Sequence, residues 1–303
     1  MSTYAAVEDA PIAPALKTKR HPYALNEEQL QFFGDNGYIH LHGVLEPAEL
    51  EAVRAAEARV TAPAKTLPLK SPDYKYHRDP ETGRSVLFRV EVLQQKDPVM
   101  MKLHGNPRIL AIMQSIFGPD FLPCSFNMVF KAPGYGPRVP WHRDPAYCRL
   151  DHGINVGIYL DDATAENGML SVVPGSHKKN SKFELEEEID AHGFDISGAI
   201  PVRAKAGDLV IHNENVLHGS RTVRSSQQRR IIYYGARSIR EQLARGLDVN
   251  WMRSVGRIAK FTTRLRSRSP EFAHETPFNW NPDREDCRVE LSEDEYVEFR
   301  LME

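Results

Sequence analysis

"GDLVIHNENVLHG", residues 207–219, reads as a short β-type run bounded by turn residues, and four others of the same texture accompany it. They are "SFNMVFKAP" (125–133), "INVGIYLDD" (154–162), "GMLSVVPGSH" (168–177) and "RRIIYYGAR" (229–237). Short strands at close but irregular spacing argue for a sandwich or jelly roll rather than alternating parallel β–α units. The expected class is therefore mainly β.

Upstream of Pro123 the pattern is helical. "NEEQLQFFGDNG" offers Asn26 as a cap, an acidic first turn and Gly37 as a stop, and a short strand follows in "YIHLHGVL". "EPAELEAVRAAEARV" and "DPVMMKLHGNPRILAIMQSIFG" predict two further helical stretches, so the first part is expected to be mostly helical. Residues 1–24 read as a tail and 25–303 as one domain, with its core at about 121–237 and a C-terminal extension at 238–303. A polar insert, 178–200, lies between core strands, a placement that suits a lid as well as a plain surface loop.

The extension contains "RSVGRIAKFTTRLRSRS" (253–269), which carries six basic residues and no acid. Its charges at 253, 257, 260 and 264 share one helix face. They could attract an anionic substrate or be neutralised by the acidic tail from Asp283. The whole chain gives no stronger electrostatic signal: 303 residues, 41% hydrophobic and 26% charged, carry a formal charge of -2. That is ordinary globular composition with no general case for nucleic acid or an anionic membrane. Three cysteines, Cys124, Cys148 and Cys287, lack the spacing of a zinc site or disulfide framework, which suits a reducing cytoplasm. No run approaches the ~18 apolar residues of a membrane span, and the N-terminus lacks a signal-peptide core. The expected partner is a small molecule, with oligomeric state left open.

Within this frame one short stretch carries chemistry. In "PWHRDPAY" (140–147), His142 and Asp144 stand two apart, on one face if the segment is extended. His218, in "VLHGSRTV", is placed at a strand end and can join them if the first and last strands of a jelly roll lie side by side. Two imidazoles and a carboxylate suit non-haem iron, because three ligands on one face of an octahedron leave three positions open. The same set could hold zinc in a hydrolase, which would want a general base that the sequence does not nominate. His177 and His212 are expected to stay outside such a site.

The ordered stretches "WHRD", "NVGIYLDD", "ENGMLSVVPGSH", "GDLVIHNENVLHGS" and "RRIIYYGAR" resemble the phytanoyl-CoA dioxygenase family of Fe(II)- and 2-oxoglutarate-dependent oxygenases over roughly residues 26–237. The resemblance implies a double-stranded β-helix (cupin-like jelly roll) core with flanking helices, and iron held by His142, Asp144 and His218. It also implies that Arg229, eleven positions after His218, grips the distal carboxylate of 2-oxoglutarate. Ser220 resembles the family's hydroxyl contact to that co-substrate, and Asn127 matches a further contact position. The activity implied is oxidation, by default hydroxylation, of an unactivated C–H in a small organic molecule or acyl or secondary metabolite. Dioxygen is consumed and succinate and carbon dioxide are released.

Two departures bear on pocket shape: Arg143 stands where many members have Gln, and Gly157 lies near where many have a bulky aromatic. Asp144 favours hydroxylation, since related halogenases lack this carboxylate. A catalytically silent jelly-roll binding protein and a cupin-type metal-dependent hydrolase or isomerase remain as alternatives. The first would not need the ligand set, and the second would not need Arg229.

Overall fold

The computed structural model describes residues 20–66, 71–144, 153–178 and 189–296. Most of the expected tail and residues 179–188 of the insert lie outside the described residues.

Two antiparallel sheets form the core. The major sheet has seven strands, ordered β1 (Tyr38–Leu41), β9 (Leu209–Asn213), β6 (Gly153–Tyr159), β11 (Arg229–Ser238), β4 (Phe121–Lys131), β3 (Ser85–Val90) and β2 (Tyr74–Arg78). The minor sheet has four, ordered β5 (Val139–His142), β10 (His218–Ser220), β7 (Leu170–Val172) and β8 (Ile200–Val202). This is the expected jelly roll. The first part is mostly helical as expected, with one addition that the sequence reading lacked: β2 and β3 extend the major sheet well before residue 121.

Alternation along the strands assigns the two faces of the major sheet. Phe126, Met128, Phe130, Ile154, Val156, Ile158, Leu209, Ile211, Ile232 and Tyr234 point outward into the main hydrophobic core shared with the helices. The intervening residues Tyr159, Val210 and Ile231 point inward and pack with Leu170, Val172 and Val202 of the minor sheet. With both faces buried, strands read as near-continuous apolar runs, and the polar residues among the inward positions are the ones that need explaining.

The helices form the outer layer: α1 (Glu27–Asn36), α2 (Pro47–Thr61), α3 (Pro98–His104), α4 (Pro107–Phe117), α5 (Ile239–Ala244) and α6 (Val249–Ser267). α1 begins with a capping box, in which Asn26 accepts from the Gln29 N–H at 2.8 Å and Gln29 accepts from the Asn26 N–H at 2.9 Å. It stops at Gly37 (φ 73°), a left-handed position that favours glycine. The third helical stretch is two helices rather than one. Pro107 disfavours helical backbone at Asn106, whose side chain instead caps α4, accepting from the Arg108 N–H at 2.9 Å.

Candidate active site

β10 runs antiparallel to β5 with His218 directly opposite His142. Their rings stand 4.2 Å apart, centroid to centroid. Asp144 lies just past the end of β5, so simple strand alternation does not place it. Its backbone N–H donates to the Glu214 carbonyl at 2.7 Å, and Asn155 Nδ2 on β6 donates to its Oδ2 at 2.8 Å. The result brings Asp144 Oδ1 within 3.2 Å of His142 Nε2 and Oδ2 within 3.5 Å of His218 Nε2.

Hydrogen bonding fixes which ring nitrogens are bare. His142 Nδ1 lies 2.8 Å from the Pro140 carbonyl, and His218 Nδ1 lies 2.9 Å from the Val216 carbonyl. A carbonyl only accepts, so each Nδ1 carries the proton and each Nε2 of a neutral ring presents a lone pair. Two ring nitrogens and a carboxylate therefore converge on one point, an arrangement that suits a cation. Burial pushes the His218 imidazole down to about 3, with His212 beside it lowering it further. His142 moves the other way: burial would lower it, but Asp144 raises it. Burial likewise works to raise the Asp144 carboxyl, and the surrounding imidazoles hold it well below the usual carboxylate range. Each shift fits a pocket that favours positive charge on the carboxylate side and a bare nitrogen on His218.

At the other end of the same interior the imbalance is reversed. Arg229 is 3% exposed, its Nη1 donates to the Gly168 carbonyl, and its Nε is buried with no partner. Lys131, its neighbour across β4, is 2% exposed and donates to the carbonyls of Pro137 (2.6 Å) and Arg221 (2.8 Å). Burial, with Arg229 beside it, pushes the Lys131 amine down to about 7. Neither cation meets a carboxylate among the described residues, and buried cations normally do. Asn127 faces the same interior from β4, buried, with its Oδ1 unpartnered. Ser220 is buried two residues after His218. These groups suit an oxo acid carrying two carboxylates, and the opposite set suits a divalent iron.

Several other side chains are placed elsewhere. Arg230 points outward and pairs with Asp161 at 2.7 Å and Glu57 at 3.1 Å. Arg143 donates to the Ser176 carbonyl at 2.7 Å and to that of Asn215, stitching loops together. His177 packs against the end of α1, with Nε2 3.2 Å from the Gly34 carbonyl. His212 is not one of the three converging groups, but its ring lies 4.3 Å from that of His218, tilted by 45°. A second group, His40, His42 and Asp208, also gathers its ring nitrogens and carboxylate. A groove of about 550 Å³ on the β2–β3 hairpin, lined by Tyr74, Lys75, Tyr76, Phe88, Arg89 and Glu91, does not include any of the three clustered groups around Asp144.

The described half of the polar insert packs behind the ligand strands. Phe194 stacks on Trp141 at 4.6 Å and Ile196 joins Trp141 and Leu217, on the side of the minor sheet away from His142 and His218. The basic stretch forms most of α6, and five of its six charges are answered by acids among the described residues. Arg266 pairs with Glu49 (2.6 Å) and Glu275 (2.7 Å), Arg268 with Glu293 (2.7 Å), and Arg257 with Glu295. The acidic tail from Asp283 answers Arg257, Lys260, Arg264 and Arg268.

Asn155 and Lys131 are site neighbours that sequence reasoning missed. The signal was present: "INVGIY" alternates apolar Ile154, Val156 and Ile158 with Asn155 and Gly157, and "FNMVFK" alternates Phe126, Met128 and Phe130 with Asn127 and Lys131.

The sequence profile of the phytanoyl-CoA dioxygenase family matches residues 33–231. Among curated relatives, the dioxygenase lolE1 of Epichloe uncinata is 26% identical over 218 residues, covering 70% of this chain and 82% of its own. L-proline trans-4-hydroxylase of Streptomyces griseoviridis is 25% identical over 181 residues, covering 50% of this chain and 68% of its own. In fold, the chain is similar to EctD from S. alaskensis, whose crystal structure holds 2-oxoglutarate and 5-hydroxyectoine. The TM-score is 0.62 at 19% identity, over 76% of this chain and 82% of that one. With the family match spanning most of the chain and a two-histidine, one-carboxylate set at one end of the barrel, the chain belongs to the phytanoyl-CoA dioxygenase family and is an Fe(II)- and 2-oxoglutarate-dependent dioxygenase.

Proposed function

We propose that His142 and His218, through Nε2, and Asp144, through its carboxylate, hold the iron, and that Arg229 binds the distal carboxylate of 2-oxoglutarate with Ser220 and Asn127 beside it. The substrate is a small organic molecule, and the outcome is hydroxylation of an unactivated C–H. The observation that carries this reading is the paired imbalance inside one barrel: converging lone pairs around Asp144 and unanswered cations around Arg229.

Iron and 2-oxoglutarate, when bound, supply the oxidising power with dioxygen, leaving succinate and carbon dioxide. The protein's part is to bind, orient and exclude water. Pro140 and Val216 fix the two imidazole rings through their Nδ1 protons, and Asn155 fixes the carboxylate. The guanidinium of Arg229 offers a planar fork for two parallel hydrogen bonds to a carboxylate. Its low exposure removes competing water. A hydrolase of the same ligand set has no use for that buried arginine, and a silent binding protein has no use for bare imidazole nitrogens. A cytoplasmic location fits the scattered cysteines, and no helix among the described residues is long and apolar enough to cross a membrane.

The test is succinate formation by the iron-loaded enzyme over a panel of free acids, acyl thioesters and amino-acid-derived metabolites. Substrate-stimulated, 2-oxoglutarate-dependent succinate release is expected for at least one class. Absence of even slow uncoupled turnover in the iron-loaded protein would contradict the assignment.

A further inference from the structure

Two phenols on the inner face of the major sheet have no role in the site as built so far. On β11 the inward positions are Arg229, Ile231 and Tyr233, while Arg230, Ile232 and Tyr234 face the helices. Tyr233 lies across from Asn127 on β4 and from Gly157 on β6. A Cβ at Gly157 would stand 3.3 Å from Tyr233 Cε1, so the tyrosine ring takes the room that a side chain at 157 would need. Tyr159 pairs with Ile231, two residues from both Arg229 and Tyr233, and is therefore the diagonal cross-strand neighbour of each.

Tyr159 Oη is buried with no partner among the described residues, whereas Tyr233 is half-buried and makes no hydrogen bond through its hydroxyl among the described residues. Tyrosines of the outer layer behave differently. Tyr234 Oη donates to the His104 carbonyl at 3.0 Å, and Tyr74 Oη donates to that of Val60 at 3.0 Å. A buried hydroxyl without a partner is costly, so the Tyr159 phenol beside a buried guanidinium, with the half-buried Tyr233 phenol next to it, marks a place meant for an acceptor. Burial raises both phenols, Arg229 opposing in part, so each remains a protonated donor at neutral pH.

We propose that Tyr159 and Tyr233 are co-substrate-binding residues, whose hydroxyls donate to the carboxylate of 2-oxoglutarate that pairs with Arg229. This rests on the assignment of Arg229 to that carboxylate. Three converging donors around one anion would exclude neutral and monocarboxylic oxo acids, because a missing carboxylate leaves all three unpaired.

The decisive variant is the double exchange Tyr159→Phe with Tyr233→Phe, which keeps both rings and removes only the hydroxyls. Binding of 2-oxoglutarate to the full, Fe(II)-loaded chain is measured anaerobically by calorimetry, with iron affinity and melting temperature alongside. The expected result is a Kd raised at least about tenfold, since hydrogen bonds to a charged acceptor are the stronger class, with iron affinity unchanged within about twofold. A Kd within about twofold of the parent protein overturns the proposal. If the double variant folds poorly, each single variant is titrated, and unchanged affinity in both is equally fatal. Arg229→Ala separates the two levels. If it weakens 2-oxoglutarate while the tyrosine variants do not, the phenols alone are wrongly assigned; if it has no effect either, the carboxylate assignment itself fails.

Discussion

Two groups of two histidines and one aspartate lie at opposite ends of this protein's barrel, and composition does not distinguish them. His142, Asp144 and His218 form one; His40, His42 and Asp208 form the other. Asp208 precedes β9 and His212, near the first group, lies at its far end one residue before the last, so the two are roughly 13 Å apart along one strand face, at about 3.3 Å per residue. The difference is in what already satisfies each carboxylate and ring. Asp208 accepts backbone N–H groups from Gly43 and Lys205, each at 2.8 Å, and both of its imidazoles can turn a proton toward it because no carbonyl among the described residues claims their other nitrogens. Burial would raise its carboxyl, but the backbone donors and imidazoles lower it. That group is complete as a hydrogen-bonded knot tying β1 to the turn before β9. At Asp144 the carbonyls of Pro140 and Val216 take the Nδ1 protons, which leaves both Nε2 atoms facing the carboxylate in a set suited to a cation. Residue type makes a metal site possible; the partners of the other ring nitrogen decide whether it is one.

The largest expected effect breaks or sustains that distinction directly. Asp144→Ala should lower iron affinity more than about a hundredfold and abolish turnover, since even an outer-shell loss costs about 10–100-fold. Asp208→Ala should leave one iron per chain with affinity near that of the parent and lower only the melting temperature. Retention of iron by the first variant, or its loss in the second, would erase the contrast.

Next comes the anion end. Arg229→Ala should raise the KM for 2-oxoglutarate roughly thirtyfold or more, from the loss of ~2–5 kcal/mol when a buried charge-assisted contact is removed. Arg230→Ala should leave that KM nearly unchanged and destabilise the fold, because Asp161 and Glu57 lose their cation. A larger KM defect in the Arg230 variant would reverse the assignment of the strand's faces.

A smaller change should separate orientation from ligation. Asn155→Ala leaves the ligand set intact but frees the Asp144 carboxylate, and iron affinity should fall by about tenfold. An unchanged affinity would mean that the Glu214 carbonyl alone fixes Asp144 through its backbone.

The mildest effect uses an imidazole with no carboxylate at all. His104, buried between Thr262 and Tyr234, is pushed by burial from 6.5 down to about 3. Between those values the unfolded chain binds a proton that the folded chain does not, so stability falls as pH drops from about 6.5 towards about 3, and is independent of this group above 6.5. His104→Gln should flatten the dependence of melting temperature on pH in that window; an unaltered slope would place the acid sensitivity elsewhere.

Much of the proposed site was legible before any fold was known, because ordered motifs singled out His142, Asp144, His218 and Arg229 as a set. Periodicity could not choose between Arg229 and Arg230. Ile231 and Tyr233 are as apolar as Ile232 and Tyr234, since a barrel interior lies on one side of β11 and a helix layer on the other. The β2–β3 hairpin went unread because its strands carry exposed charges such as Lys75 and Arg78. The polar insert looked like cover for the barrel mouth, yet its described half packs behind the ligand strands through Phe194 and Ile196.

By itself the sequence determined the class of fold, the family and the residue types available for iron and a dicarboxylate, since these follow from local runs, spacings and motif order. The tertiary structure alone decided which histidines meet, because His142 and His218 become opposite partners only when β5 and β10 pair across 76 residues of chain. It alone decided that Arg230 belongs to the outer layer and Arg229 to the interior. The physical reason is common to both: a hydrogen-bond donor or a charge acquires its meaning from what surrounds it, and those surroundings come from strands remote in sequence.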